Sequence, residues 1–412
     1  MTNLYETLQN RGYIAQATHE TEIKDILNNK KISFYIGFDP TADSLHVGHF
    51  LQLMVMSHMQ KAGHKPIVLI GGGTTMVGDP SGRTDMRKIL SIEEIKSNGN
   101  RFKEQITRFI SFDNDRALMV NNADWLLDLN YVNFLRDYGA QFSVNRMLTA
   151  DAYKSRLEEG LTFLEFNYMI MQAYDFLELN NRLGCTMQMG GRDQWSNIIA
   201  GVDLIRRVKS QEVYGLTFNL LTTSAGEKMG KTAKGALWLD KDKTSPYEFY
   251  QYFINIDDAG VVNCLKLLTY VDLQEIEALG KLKGQDINKA KSILAYEVTK
   301  LVHGENHAQE ARQAAQNLFS KNGRDASGEI SMPMATFPKD EFEKGMEILM
   351  LLEKIKFASS KTEGRRLISQ GGIKINDEKI ESSEHVVRAR DFEEGYFVIQ
   401  RGKKVVCKVV IE

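Results

Sequence analysis

Cysteine is scarce in this 412-residue chain, and Cys185, Cys264 and Cys407 stand far apart with no Cys-X-X-Cys pair. That excludes a disulfide framework and a cysteine zinc site, and it fits a reducing, cytoplasmic setting. Only six prolines occur, and two of them, Pro333 and Pro338, fall between residues 320 and 340 among Gly, Ser, Asp and Lys, a composition that reads as a linker. No run reaches the ~18 apolar residues of a membrane span, and the first sixteen residues carry Glu6 and Arg11 where a signal peptide would be apolar. Neither secretion nor a membrane partner is expected. An excess of one charge is missing too: 52 Lys plus Arg face 54 Asp plus Glu, a net of −2. A uniformly basic coat for nucleic acid is thereby excluded, and any RNA contact must come from a local patch.

What is present is a long chain, at roughly 100–200 residues per domain enough for two to four domains. Short apolar runs at Lys31 to Phe38, Pro66 to Ile70, Ala117 to Val120 and Cys185 to Met189 read as buried strands. They alternate with helical patterns at Val47 to Ala62, Thr162 to Leu179 and Gln194 to Val208, an order that predicts an α/β fold with a Rossmann-like, mostly parallel sheet. Ligands of such sheets bind at the carboxyl ends of the strands. From Ser245 onward successive helices are expected at Tyr247 to Asn255, Val261 to Leu268, Leu273 to Leu279, Ile287 to Val302 and Ala308 to Leu318. After the linker come a helix at Phe342 to Lys356, a basic helix, and hairpins at Ile373 to Ile380 and Tyr396 to Ile411. The expected domains are therefore 1–244, catalytic; 245–320, helical; 321–345, linker; and 346–412, a small α+β unit.

Five clusters carry chemistry. In Tyr35-Ile-Gly37-Phe-Asp39-Pro-Thr41 a strand breaks and re-enters a helix near His46-Val-Gly48-His49. Two histidines three apart share one face of a first helical turn, where free N–H groups and the dipole attract phosphate. Gly48 between them leaves the backbone accessible to a flat ligand. HXXH alone is more often two surface histidines near a helix start, but the Asp39-Pro-Thr41 segment upstream shifts the reading toward a nucleotide. No third His or Cys follows at ligand spacing, so no protein-held metal is expected. The glycine-rich Gly71 to Arg83 loop fits neither dinucleotide nor P-loop spacing and offers Asp79 and Arg83 as pocket walls. On the otherwise apolar 162–179 helix, Tyr168, Gln172 and Asp175 form one polar stripe, which suits a small polar ligand better than solvent. At Gly190-Gly191-Arg-Asp193-Gln194 another strand opens a helix; Asp193 and Gln194 can bond ribose or an amino-acid head group, or Asp193 can simply cap the helix. Lys228-Met-Gly230-Lys231-Thr232 imitates a P-loop but is followed by a strand-like Ala236 to Leu239, so it reads as a mobile loop whose lysines close over a transferring phosphate.

Taken together and in this order, the clusters resemble the bacterial tyrosyl-tRNA synthetases, over the whole chain. His46-Val-Gly-His49 is similar to the HIGH signature and Lys228-Met-Gly-Lys231-Thr232 to the KMSKS signature of class I synthetases, with Val47, Gly230, Thr232 and Arg83 as departures. Ser359 to Ile380 resembles the S4 RNA-binding domain. The resemblance implies activation of L-tyrosine by ATP to tyrosyl-adenylate with release of pyrophosphate, then transfer to the 3′ end of tRNA(Tyr), with Mg²⁺ arriving on the ATP. It assigns His46, His49, Thr41, Lys228, Lys231 and Thr232 to catalysis. Tyr35 and Asp175 would hold the phenol; Tyr168, Gln172 and Asp79 the ammonium; Gln194 the carboxylate. Gly37, Asp39, Gly48, Gly191 and Asp193 would join His46, His49 and Lys231 around ATP. Lys361, Arg365 and Arg366 would meet RNA from a tail, residues 354 to 412, that holds 13 basic against 9 acidic side chains. A homodimer is implied as well, for which Tyr131 to Leu157, rich in aromatics and leucine among charges, is the candidate face. The competing readings are a non-catalytic RNA-binding protein on the same scaffold and the related tryptophanyl-tRNA synthetase.

Overall fold

The computed structural model describes residues 3–81, 90–223, 226–232, 235–319, 334–376, 378–392, 395–402 and 405–411. It divides into two compact units: residues 1–244 with 253–303, and residues 245–252 with 304–412.

The first unit is built on a six-stranded sheet of β1 (Ile14–Ala17), β2 (Ser33–Phe38), β3 (Lys65–Ile70), β4 (Leu118–Asn121), β5 (Met187–Gly191) and β6 (Tyr214–Phe218). Their order is β1-β6-β5-β2-β3-β4, parallel throughout except for β1, which runs antiparallel along the edge of β6. Helices cover both faces, and β3 and β5 are accordingly buried almost end to end. The strand order reverses between β2 and β5. There the two strands pair only at Phe34 with Met187 and Tyr35 with Gln188, whereas β2 keeps its register with β3 along its full length. Beyond Tyr35 they part, Gly37 is exposed in mid-sheet, and the crevice at the carboxyl ends of the strands opens.

The four expected central strands are found within one or two residues of their sequence limits; β1 and β6 escaped the sequence reading. The Thr162 to Leu179 pattern is two helices, Phe163–Phe166 and Tyr168–Leu183, with Asn167 between them. The first is capped reciprocally by Thr162 and Glu165, and Glu165 also receives the buried Arg156 guanidinium at 3.1 Å. Helices Val261–Leu268, Leu273–Gly280 and Ile287–His303 complete this unit. Arg11 ties the first of them down, its guanidinium donating to the carbonyls of Lys266, Thr269 and Val271 at 2.7 to 3.0 Å, where a cation also suits the helix dipole.

In the second unit a five-stranded sheet runs in the order Glu378–Lys379, Ile373–Ile375, Tyr396–Arg401, Val405–Ile411, Met334–Phe337, the last pair parallel. Ile348, Leu352, Ile368, Phe397 and Val409 form its core. The described part of the expected linker is ordered structure here: the Met334–Phe337 strand and the Lys339–Glu343 helix. The helix expected over Phe342 to Lys356 is interrupted at Gly345, which takes φ +84° and where a Cβ would also run into Val386; a short strand, Met346–Glu347, precedes the Ile348–Lys354 helix. No described helix is long and apolar enough to cross a membrane.

Candidate active site

At the crevice between β2 and β5 lies a cavity of about 790 Å³. Its floor is the deepest part of the sheet. Tyr35, fully buried, lines this space, and its hydroxyl oxygen meets no hydrogen-bond partner among the described residues. Asp175 is equally buried. Its carboxylate receives the Trp125 indole N–H at 2.7 Å and the Asn122 amide at 2.9 Å, two donors that favour the charged form. Burial outweighs them and pushes the Asp175 pKa up to about 8. The same burial, with Asp175 nearby, raises the Tyr35 phenol well above its ordinary value. The floor is thus a neutral hydroxyl beside a carboxyl group, in surroundings too dry to leave either unpaired without cost.

A polar chain leads upward from there. Asn122 donates to Thr74 Oγ1 at 2.9 Å, Thr74 donates to Asp39 Oδ1 at 2.8 Å, and the Tyr168 hydroxyl donates to Asp39 Oδ2 at 2.9 Å. Asp39, expected on the nucleotide, therefore braces Tyr168 across the crevice. Opposite, Asn197 gathers the amides: its side-chain nitrogen lies 3.1 Å from the oxygens of both Gln172 and Gln194, and Gln194 donates to Asp79 Oδ2 at 2.7 Å. Asp79 also accepts the Ser81 N–H at 2.9 Å. This wall offers carboxylate and amide oxygens to a cation from Asp79 and Gln172.

At the mouth, the Val47–Lys61 helix begins with both histidines engaged. His46 Nδ1 accepts from Gly48 N at 3.1 Å, and His49 Nδ1 accepts from His46 N at 3.2 Å. Each neutral ring therefore carries its proton on Nε2. The rings stack at 4.0 Å, and a Cβ on Gly48 would lie 2.9 Å from the His46 ring. The glycine thus serves the histidine fold-back as much as any ligand. Gly37, Thr41, Gly191, Asp193 and Lys228 line the same cavity. The Lys231–Thr232 backbone forms a two-residue strand paired with Gly235–Ala236, but the side chains of Lys231 and Thr232 lie outside the description, as does Arg83 altogether. Lys361, Arg365 and Arg366 stand exposed on the Lys361–Ser369 helix of the second unit.

Sequence reasoning missed Thr74, Asn122, Trp125, Asn197 and Gln188, whose buried Oε1 meets no partner among the described residues. For Asn122 one signal existed: it lies just past a strand's carboxyl end, where ligand contacts gather.

Residues 27–320 match the tRNA synthetases class I (W and Y), and residues 329–409 match the tyrosine–tRNA ligase SYY-like C-terminal domain. A tyrosine–tRNA ligase of Acetivibrio thermocellus is 61% identical over 409 residues, 99% of each chain. The chain belongs to the class I tyrosine–tRNA ligase family. A Clostridium kluyveri tyrosine–tRNA ligase is 58% identical over 412 residues, all of both chains. Among solved structures, a C-terminally truncated mitochondrial tyrosyl-tRNA synthetase of Aspergillus nidulans superposes with a TM-score of 0.69 at 31% identity, covering 77% of this chain and 95% of its own. A tryptophanyl-tRNA synthetase of Encephalitozoon cuniculi, at 15% identity and TM-score 0.56, shares the fold over 74% of this chain.

Proposed function

We propose that this chain activates tyrosine with ATP and transfers it to tRNA(Tyr), and that one cavity performs both steps. The observation that carries the residue assignments is the unpartnered Tyr35 hydroxyl beside the Asp175 carboxyl at the base of a cavity rimmed by His46, His49 and Lys228. A substrate phenol seated there accepts from or donates to Tyr35 and bonds Asp175. Phenylalanine would leave the Tyr35 hydroxyl without a partner and bring Asp175 nothing beyond the two donors it already has, and a site built for a hydroxyl rejects the analogue that lacks one. Asp79, Gln172 and Tyr168 hold the ammonium, and Gln194 holds the carboxylate.

The first step needs no base, because the substrate carboxylate is ionised at neutral pH. Its oxygen attacks the α-phosphorus as the bond to the bridging oxygen breaks, and the electron pair leaves with pyrophosphate. The His46 and His49 Nε2–H donors, with Lys228 and Lys231, meet charge that grows on the departing phosphates; Thr41 and Thr232 are assigned to the same group. One such donor is typically worth about 2.7–4 kcal/mol of barrier. Gly37, Gly48 and Gly191 leave room for the nucleotide against the backbone, and Asp193 bonds ribose. Mg²⁺ is assigned to the triphosphate, because a small hard cation that prefers oxygen ligands is commonly held by substrate phosphates and water. In the second step a ribose hydroxyl at the tRNA 3′ end attacks the tyrosyl carbonyl carbon, and AMP departs.

Lys361, Arg365 and Arg366 are assigned to RNA phosphates. A homodimer is assigned to the Tyr131–Leu157 surface and its continuation, where Val132, Val144, Leu157 and Phe163 are exposed at 71, 55, 45 and 70%; a single-chain mass in sedimentation would contradict it. The direct test of the pocket is Asp175→Ala in amino-acid-dependent ATP–pyrophosphate exchange. The tyrosine-over-phenylalanine ratio of kcat/KM should fall by about tenfold or more, and an unchanged ratio would remove the assignment.

A further inference from the structure

Gly230 stands where the lysine loop meets the start of the histidine helix. It is buried, takes φ +90°, and a Cβ built on it would overlap Val47 Cγ1. Val47 is the first residue of the Val47–Lys61 helix and is itself buried, so it has little room to retreat. The backbone repeats the connection. Val47 N donates to the Leu237 carbonyl at 3.0 Å, and Leu237 N donates to the Gly230 carbonyl at 2.8 Å, so one residue takes a bond from the helix start and gives one to the loop. On the loop's other side Met229 N donates to Leu221 at 2.9 Å, Lys228 bridges to Thr222, and Met229 Sδ lies 3.7 Å from Cys264 Sγ. The described residues of this loop thus make contacts on three sides.

We propose that Gly230 is a positioning residue for Lys228: the missing side chain lets the loop seat against Val47, and that seating sets Lys228 at the cavity mouth beside His46 and His49. The proposal rests on the reading of Lys228 as a group that meets the departing phosphates. Any side chain at 230 must lift the loop from Val47, because the helix start is fixed by its own capping bonds and by core packing. Lys228, two residues away, then leaves its place. The tyrosine floor at Tyr35 and Asp175 belongs to other elements and stays as it is.

The test compares Gly230→Ala, Val47→Ala, the double variant and Lys228→Ala in tyrosine-dependent ATP–pyrophosphate exchange, with tyrosine binding read by intrinsic fluorescence. Gly230→Ala should lower kcat by about tenfold or more while the tyrosine dissociation constant stays within about twofold. Adding Val47→Ala removes the colliding methyl and should restore a large part of the loss, a rescue that backbone strain at 230 alone would not give. A Gly230→Ala rate equal to wild type, a double variant no faster than Gly230→Ala, or a loss of tyrosine binding in Gly230→Ala would each overturn the proposal. A slow Lys228→Ala beside an unimpaired Gly230→Ala would fault this proposal alone; Lys228→Ala at the wild-type rate would fault the reading of the lysine, and this inference with it.

Discussion

Asp175 is held in a state that folding alone disfavours. In an unfolded chain its carboxyl ionises near pH 4, whereas in the fold burial delays ionisation to about pH 8. Between those values the folded protein binds the extra proton, so stability falls as pH rises from about 4 to about 8 and levels off above. Asp175→Asn should flatten that part of the profile in urea unfolding followed from pH 5 to 9; parallel curves for the two proteins would contradict it. Under the proposed assignment, a phenol donor arriving at the floor would supply a third hydrogen bond to the carboxylate and offset that cost. Tyr35, Tyr168, Gln172 and Asp175 were legible in the sequence, the last three as a stripe at helical spacing and Tyr35 through the family resemblance. Asn122, Trp125 and Asn197 were not. They touch the stripe only because strand order brings the ends of β4 and β5 beside it, and no local pattern encodes that order.

At the scale of elements, periodicity located what packs on one face, and it failed where a special contact interrupts the pattern. Val261–Leu268 was read to the residue because its apolar positions repeat without a break. β1 is an antiparallel edge strand of intermediate burial, and its Ile-Ala-Gln-Ala carries no apolar run. β6 contains Gly215, which weakens a strand reading although the fold needs it: a Cβ there would collide with Ile198. Next to the break at Asn167 stands an ion pair between neighbouring helices. Arg156 of the Asp151–Glu159 helix meets Glu165 of the Phe163–Phe166 helix with both side chains at most 6% exposed. Glu165→Ala leaves a guanidinium buried without its partner and removes the cap on Thr162. We expect a loss of about 3–5 kcal/mol in urea unfolding, and a change under about 1 kcal/mol would show that this pair does not set the helix junction.

At the scale of the whole molecule, the chain folds as two compact units, and the last part of the second, residues 354 to 412, carries 13 basic against 9 acidic side chains. The α/β architecture was legible because buried strands and amphipathic helices differ in their apolar pattern, whereas the composition that read as a linker also holds the Met334–Phe337 strand and the Lys339–Glu343 helix. The grouping of residues 253–303 with the sheet was not, because it rests on long-range ties such as those from Arg11 to Lys266, Thr269 and Val271. If RNA contact belongs to the second unit, replacing Lys361, Arg365 and Arg366 together by Ala should leave pyrophosphate exchange unchanged, raise KM for tRNA, and make its salt dependence shallower. Equal loss in both assays would show a folding defect instead. The central claim is that the crevice between β2 and β5 selects a phenol and activates its carboxylate. It is tested most directly by ATP–pyrophosphate exchange with each of the twenty amino acids in turn: exchange with tyrosine far above phenylalanine and tryptophan is the predicted result, and comparable exchange with phenylalanine, or none with tyrosine, would contradict it.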